Sequence, residues 1–180
     1  MKFLFVFTAF ILVAVGCNKD KEPAQPVYPT EGSYMPMEVG NYWRMNDENF
    51  TRITATTEIN GKLFYEFSYR VGGDVFGKSY YRIDEDNSLI GSYPDDPTSI
   101  YTHAKFNINV GEGFYTTGKK DWNDYYVKLF EKDKDIITFE YDMVYHPNLK
   151  GQKIYRSFRK GIGFVDSWKE VKIGDKVYKF

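Results

Sequence analysis

The chain has 180 residues, of which 42% are hydrophobic and 27% charged, and its formal net charge is -1. This length suits about one domain, and the balanced charge excludes a polybasic nucleic-acid-binding protein and a strongly acidic tail protein. One cysteine excludes a disulfide scaffold and a Cys-x-x-Cys zinc site, while 16 Tyr and 15 Phe exclude extensive disorder.

Residues 1–16 have the pattern of a secretory signal peptide. Lys2 gives a positively charged start, an apolar run extends from Phe3 to Val15, and the small residue Gly16 ends the segment. The run is too short to cross a bilayer, which needs about 20 apolar residues. The pattern therefore predicts export followed by removal of this segment.

The end of this segment, Ala14-Val15-Gly16-Cys17, resembles a bacterial lipobox, with Ala14 at the position where Leu is usual. The resemblance implies cleavage before Cys17 and attachment of a diacylglycerol to its thiol, usually with a further acyl chain such as palmitate on the new amino terminus. The alternative is an ordinary secreted protein with one unpaired thiol. A lone cysteine in an exported protein favours lipidation, because it has no intramolecular partner.

Residues 17–31 are predicted to be a lipid-anchored flexible tether. This segment is charged, contains Pro23, Pro26 and Pro29, and lacks hydrophobic periodicity. Its lysine and acidic residues directly after Cys17 resemble the surface-export signals of some Gram-negative lipoproteins. The resemblance implies an outer-membrane lipoprotein that is anchored without spanning, on the periplasmic face or at the cell surface.

Residues 32–180 are predicted to be one antiparallel β domain, because apolar and polar residues alternate through most of this segment. The strongest signal is Asn60-Gly61 between the β-rich runs Thr51–Ile59 and Lys62–Val71, since both turn residues tolerate positive φ. In the second run, alternation places Leu63, Tyr65, Phe67, Tyr69 and Val71 on one face.

The remaining runs predict further hairpins, and no stretch of twelve residues has a convincing helical period. The β-rich runs are 78–83, 89–93, 125–130, 136–145, 153–159, 171–173 and 176–180. Meander connections of this kind predict an all-β fold, a single antiparallel sheet of about eight to ten strands curled into a barrel or half-barrel. Aromatic side chains are expected to fill its concave face.

Two motifs carry a resemblance to a protein family. The first reads Tyr-x-Pro-Met-x-Val-Gly-Asn-x-Trp over residues 34–43, and the second reads Lys-Gly-Ile-Gly-Phe-Val over residues 160–165. Together they resemble a broad group of uncharacterised Gram-negative lipoproteins. The resemblance implies a curved antiparallel sheet and transfers no activity.

Residues that carry catalytic or metal chemistry are sparse, and we predict no catalytic residue, cofactor or metal site. His103 and His146 stand apart from each other and from other metal-ligating residues. The carboxylates of residues 84–86 and of Asp95 and Asp96 fall in polar turns, where Asp favours chain reversal. An enzyme remains a minor alternative, in the form of a hydrolase that uses one of these turn carboxylates.

The tyrosines allow two interpretations. Tyr has an apolar body and a polar tip, which suits a ligand site, but it is also favoured in half-buried strands. The candidate ligand-facing aromatics are Tyr65, Tyr69, Tyr141 and Tyr145.

Two functional hypotheses follow. The favoured one is a non-enzymatic cell-envelope lipoprotein that binds an apolar ligand or a partner protein, with the membrane as its other partner through acylated Cys17. The alternative is a surface carbohydrate-binding accessory lipoprotein. The alternative requires two or three exposed rings that present flat faces to a glycan.

Overall fold

The computed structural model describes residues 32–180, which form thirteen β-strands in two antiparallel sheets. Within these residues no helix is long and apolar enough to cross a membrane. The predicted signal peptide, Cys17 and the tether lie outside the described residues.

The larger sheet has eight strands, taken from the beginning and the end of the described chain. They are β1 (Tyr42–Asn46), β2 (Asn49–Ile59), β3 (Lys62–Val71), β4 (Val75–Ile83), β5 (Ser88–Tyr93), β6 (Asp96–Lys105), β12 (Glu170–Ile173) and β13 (Lys176–Lys179). Their spatial order is β13-β12-β1-β2-β3-β4-β5-β6, so the end of the chain returns to pair with β1.

The smaller sheet has five strands from the middle of the chain. They are β7 (Gly113–Tyr115), β8 (Tyr126–Lys132), β9 (Ile136–Asp142), β10 (Ile154–Arg159) and β11 (Gly163–Val165). Their spatial order is β11-β10-β9-β8-β7, which is a meander of hairpins.

The all-β antiparallel prediction is confirmed, but the prediction of a single curled sheet is wrong. The chain leaves the larger sheet after β6, builds the smaller sheet, and then returns, and neither sheet is closed into a barrel. Both sheets carry large buried side chains on one face, so each covers the apolar face of the other. The strands are also more numerous than expected, because β1, β6, β7 and β11 do not correspond to any of the predicted runs.

The core between the sheets is filled by aromatic rings. The Trp43 ring stacks on Phe67 of the larger sheet, with 6.0 Å between centroids, and meets the edge of Phe164 from the smaller sheet at 5.9 Å. Phe158 of β10 packs against Phe139 of β9 and against Phe164. These contacts join the two sheets into one hydrophobic core.

The predicted Asn60-Gly61 hairpin is confirmed. Ile59 pairs with Lys62, which leaves a two-residue turn with φ values of 50° at Asn60 and 70° at Gly61. Both positive values are those that a type I′ turn requires. The turn therefore fixes the register in which Phe67 reaches the core and Tyr69 extends the same face.

The two sequence motifs meet in space. The Trp43 indole donates a hydrogen bond to the carbonyl of Ile162 at 2.7 Å. A Cβ atom at Gly163 would lie 2.9 Å from the Trp43 ring, and Gly163 has φ 92°, so a glycine suits this position on both counts. Asn41, which is buried, accepts a hydrogen bond from the Gly174 amide at 2.8 Å. Both motifs therefore have a structural role in joining the two ends of the domain.

Candidate ligand-binding cleft

An open cleft of about 590 Å³ lies between the two sheets. This volume falls within the range of small-molecule sites, about 300–1,000 Å³. The larger sheet contributes Thr51, Tyr69, Ser79 and Tyr81 to its lining. The smaller sheet and the segment after β11 contribute Tyr155, Arg156, Ser157, Asp166 and Trp168, while Phe67 and Phe164 connect the cleft to the core.

Strand alternation and strand length explain why the cleft is open here. Tyr69 and Arg156 each lie two residues from a buried ring, Phe67 and Phe158, so they continue the inner faces of their sheets. Strand β11 pairs with residues 157–159 of β10 and extends no further along it. The first part of β10, including Arg156, therefore forms the edge of the smaller sheet beside the cleft.

Two glycines in the larger sheet make room for rings along this face. Gly77 pairs with Tyr69 across β3 and β4, and a Cβ atom at Gly77 would overlap the Tyr69 ring and hydroxyl. A Cβ atom at Gly91 would lie 2.6 Å from Nε2 of His103. Glycine within a strand permits such close approach, so Tyr69 and His103 lie against the sheet itself.

A smaller cavity of about 230 Å³ adjoins the cleft, because Tyr81 and Arg156 line both. A β-bulge positions His103 in it: Leu89 pairs with Ala104 and Ile90 with Thr102, which leaves His103 as the extra residue of β6. The His103 ring meets the Tyr81 ring edge-on at 4.9 Å. The two cavities together form one polar, ring-lined site.

The electrostatics of the site are dominated by Arg156. Burial and the nearby Arg156 guanidinium lower the pKa of His103 to about 3, so the imidazole is neutral near pH 7. The guanidinium lies 5.2 Å from the centroid of the Tyr141 ring. Among residues 32–180, Arg156 takes part in no ion pair and its side chain is exposed to the cleft.

A second unusual group lies in the smaller cavity. Ser92 is 1% exposed, and its hydroxyl is the one buried side-chain polar atom that finds no hydrogen-bond partner among the described residues. Buried polar groups in native proteins are nearly always hydrogen-bonded. Ser92 pairs with Tyr80 across β4 and β5, so its side chain lies on the face of the larger sheet opposite to Gly91.

The structure does not bring the four candidate tyrosines together. Tyr69 lines the cleft. Tyr65 packs against the core, and Tyr141 is 3% exposed, with its hydroxyl donating a hydrogen bond to the carbonyl of His103. Tyr145 is exposed elsewhere, stacked on Tyr115 with 5.9 Å between ring centroids. Of the four, Tyr69 is the one that borders the cleft.

Sequence reasoning missed most of the cleft. Arg156 has a detectable signal, because it is a charged residue at the inward position of the alternating run Ile154-Arg156-Phe158. Gly77 and Gly91 also have a signal, since isolated glycines within strands indicate close approach. Asp166 and Trp168 have none, because their position depends on how the segment after β11 crosses the opening.

The other polar candidates have structural partners. His146 Nδ1 accepts hydrogen bonds from the amides of Asn148 and Leu149, both at 3.1 Å. The Asp84 carboxylate accepts hydrogen bonds from the amides of Asp86 and Ser88 and so shapes its turn. Within residues 32–180, no three His, Cys, Asp or Glu side chains are grouped so that they could hold a metal ion.

Searches for related proteins found no match to this chain among protein families, curated proteins or solved structures. The resemblance of the two motifs to lipoproteins stays a prediction. The residues of the cleft therefore carry the functional argument.

Proposed function

We propose that the protein is a non-enzymatic cell-envelope lipoprotein that binds carbohydrate in the cleft between its two sheets. The observation that carries this proposal is the composition of the cleft. Aromatic rings, hydroxyl groups and one guanidinium line an open space large enough for a few sugar residues.

The lining suits the two surfaces that a sugar presents. A sugar ring has an apolar C–H face, which packs against aromatic rings, and a rim of hydroxyls, which form hydrogen bonds. Tyr69, Tyr81 and Trp168 offer rings. Thr51 and Ser79 add hydroxyls that can donate and accept.

An apolar ligand, the first hypothesis from the sequence, fits this structure less well. The space between the sheets where such a ligand would lie is occupied by Trp43, Phe67, Phe139 and Phe158, each at most 1% exposed. The cleft that does open is lined by polar atoms as well as rings. A polar ligand that can also stack on rings is the better match.

Binding without catalysis is proposed because of the carboxylates. Glycoside hydrolysis uses two carboxyl groups facing each other across the substrate, about 5–9.5 Å apart. The described lining of the cleft supplies Asp166, and the turn carboxylate Asp84 is occupied in its own turn. One carboxylate in the cleft lining, that of Asp166, suits hydrogen bonding to a sugar.

The anchor completes the proposal. Acylation of Cys17, which the lipobox resemblance implies, would attach the protein to the outer membrane, on its periplasmic or outer face. Residues 17–31 would then hold the cleft some 30 Å from the lipid if extended. A tethered cleft of this kind would retain glycans near the cell.

The test is a binding screen of the full chain, purified in detergent, against a panel of immobilised oligosaccharides. Tyr69→Ala removes a ring from the cleft, while Tyr145→Ala removes an exposed ring from a separate surface and is the matched control. We expect binding to at least one glycan, lost in Tyr69→Ala and retained in Tyr145→Ala. Absence of glycan binding, or loss in Tyr145→Ala alone, contradicts the proposal.

A protein partner is the second candidate function, favoured by one separate surface. The tip of the β3–β4 hairpin exposes Val71, Val75 and Phe76, and Phe76 is 68% exposed. Val71 pairs with Val75 on one face of the hairpin and Phe76 pairs with Arg70 on the other, and exposed apolar side chains of this kind are typical of protein contacts. Cross-linking in intact cells from a photoreactive residue at position 76 would capture such a partner, and no cross-linked product would count against it.

A further inference from the structure

We propose that the cleft selects acidic oligosaccharides and that the Arg156 guanidinium binds a carboxylate carried by a sugar ring. This inference rests on the proposed carbohydrate-binding function and narrows its ligand class. The structural basis is an unpaired cation at the junction of the two cavities.

Arg156 differs from Arg44 and Arg70 in lacking an anionic or carbonyl partner among the described residues. Arg44 pairs with Glu170 at 2.7 Å, and Arg70 donates to the carbonyl of Gly73 at 2.6 Å. Arg156 has neither kind of contact among the described residues, and a ring, that of Tyr141, is what lies beneath it. The Arg156 side chain is exposed to the cleft, so its guanidinium is accessible to an external anion.

The groups around Arg156 leave its charge largely uncompensated. His103 is neutral, and Tyr81 and Tyr101 are uncharged groups that line the same cavity. Asp166 borders the larger cleft, follows the Val165 that pairs with Ser157, and accepts a hydrogen bond from the Ser167 amide; no ion pair joins it to Arg156 among the described residues. Within residues 32–180, no carboxylate lines the smaller cavity, so the Arg156 charge there favours a negatively charged ligand group.

A carboxylate on a sugar combines what the cleft offers. The planar guanidinium matches a carboxylate with two parallel hydrogen bonds. The sugar ring that bears the carboxylate can pack against Tyr81, which lines both cavities with Arg156. A neutral sugar would displace water from the guanidinium and provide no charge in exchange, so it should bind more weakly.

The experiment compares two probes by calorimetric titration of the full chain in detergent. One probe is an oligogalacturonate and the other is its methyl ester, which keeps the rings and hydroxyls but removes the charge. We expect the acid to bind at least about tenfold more tightly than the ester, because the ion-paired hydrogen bonds are lost in the ester. Raising the salt concentration should weaken binding of the acid and leave the affinity for the ester unchanged.

Two arginine variants test whether Arg156 is responsible for the preference for the acid. Arg156→Gln should remove the preference for the acid, and Arg52→Gln, which changes the net charge equally at an exposed position outside the cleft, should retain it. Equal binding of acid and ester by the native chain overturns the acidic selectivity but leaves carbohydrate binding in place. Binding of neither probe, together with no hit in the glycan panel, overturns both proposals. The comparison of acid with ester uses the native chain, so it decides the selectivity even if a variant fails to fold.

Discussion

At the residue scale, Trp43 is the side chain on which the two sheets and both sequence motifs converge. It is 0% exposed, stacks on Phe67 and donates to the carbonyl of Ile162. Trp43→Ala should reduce the free energy of unfolding by about 3–5 kcal/mol, because it leaves a large cavity and an unpaired buried carbonyl. Urea unfolding followed by circular dichroism measures the change.

Trp122 provides the matched control for this prediction. Its side chain is 66% exposed, so Trp122→Ala should change the free energy of unfolding by less than about 0.5 kcal/mol. A cost below about 1 kcal/mol for Trp43→Ala would contradict the packing of the core described above.

His103 makes the stability of the domain depend on pH. Its pKa is about 3 in the folded chain, against an ordinary value of 6.5. Between these values the unfolded chain binds a proton that the folded chain does not, so stability falls as the pH falls through this window. The loss should be at most about 1.4 kcal/mol per pH unit.

Unfolding measured between about pH 7 and pH 5 isolates this contribution, because the carboxylates titrate below that range. His103→Gln has no titrating ring and should flatten the profile in this range. An equally steep profile in the variant would show that another group is responsible.

At lower pH, carboxylates make the stability of the domain depend on pH, and Glu140 is the clearest case. Burial alone would raise the pKa of Glu140, but hydrogen bonds from Lys153 and Tyr155 and the charge of Lys128 outweigh it and hold that pKa below its usual value. Its contribution to stability is therefore present above about pH 4.5 and is lost as the pH falls further.

At the scale of elements, the β2–β3 hairpin is held by backbone conformation at Gly61. A Cβ atom there would meet nothing within 4 Å, so a larger residue is penalised through φ 70° and not through a clash. Gly61→Val should destabilise the domain by about 1–3 kcal/mol. The melting temperature, measured by calorimetry, should fall accordingly.

Lys62→Val is the control for the turn, since Lys62 is already in a strand and pairs only with the exposed Glu85 at 3.4 Å. This change should be nearly neutral, because exposed ion pairs contribute about 0–1 kcal/mol. If the two valine variants melt at the same temperature, the turn does not determine the register.

The strands could be predicted from the sequence, and their assembly into two sheets could not. Alternation in Leu63, Tyr65, Phe67 and Tyr69 and the Asn60-Gly61 turn are local signals, and the structure agrees with them. The return of β12 to pair with β1 depends on contacts across more than 120 residues, such as Tyr42 with Glu170 at 2.6 Å. No local pattern reports such a contact.

The cleft could not be predicted from the sequence, for the same physical reason. Tyr69 could be selected as a candidate because its residue type and face are visible in one strand. The proximity of Arg156, Tyr81 and Ser92 arises from two sheets packed face to face, together with bulges in β6. The composition shows that aromatic residues are abundant, but it does not say where each one lies. Only the fold shows that Tyr69 borders the cleft and that Tyr141 is buried in the core.

At the scale of the whole molecule, the anchor is predicted to be the lipid on Cys17. Cys17→Ser should prevent acylation and release the chain from membranes, because acyl chains supply about 0.8 kcal/mol per buried CH₂ group. Fractionation of cells and mass spectrometry of the amino-terminal peptide measure this. A variant that stays with membranes after a high-salt wash would contradict the anchor.

The central claim is that the cleft between the sheets is the ligand-binding site. The most direct measurement is nuclear magnetic resonance of the isotope-labelled full chain in detergent, titrated with the glycan that binds best in the panel. We predict that amide shifts change at Tyr69, Tyr81, Arg156 and Trp168, which line the cleft. Shifts confined to the Tyr115 and Tyr145 surface or to the β3–β4 tip, with the cleft unchanged, would contradict the claim.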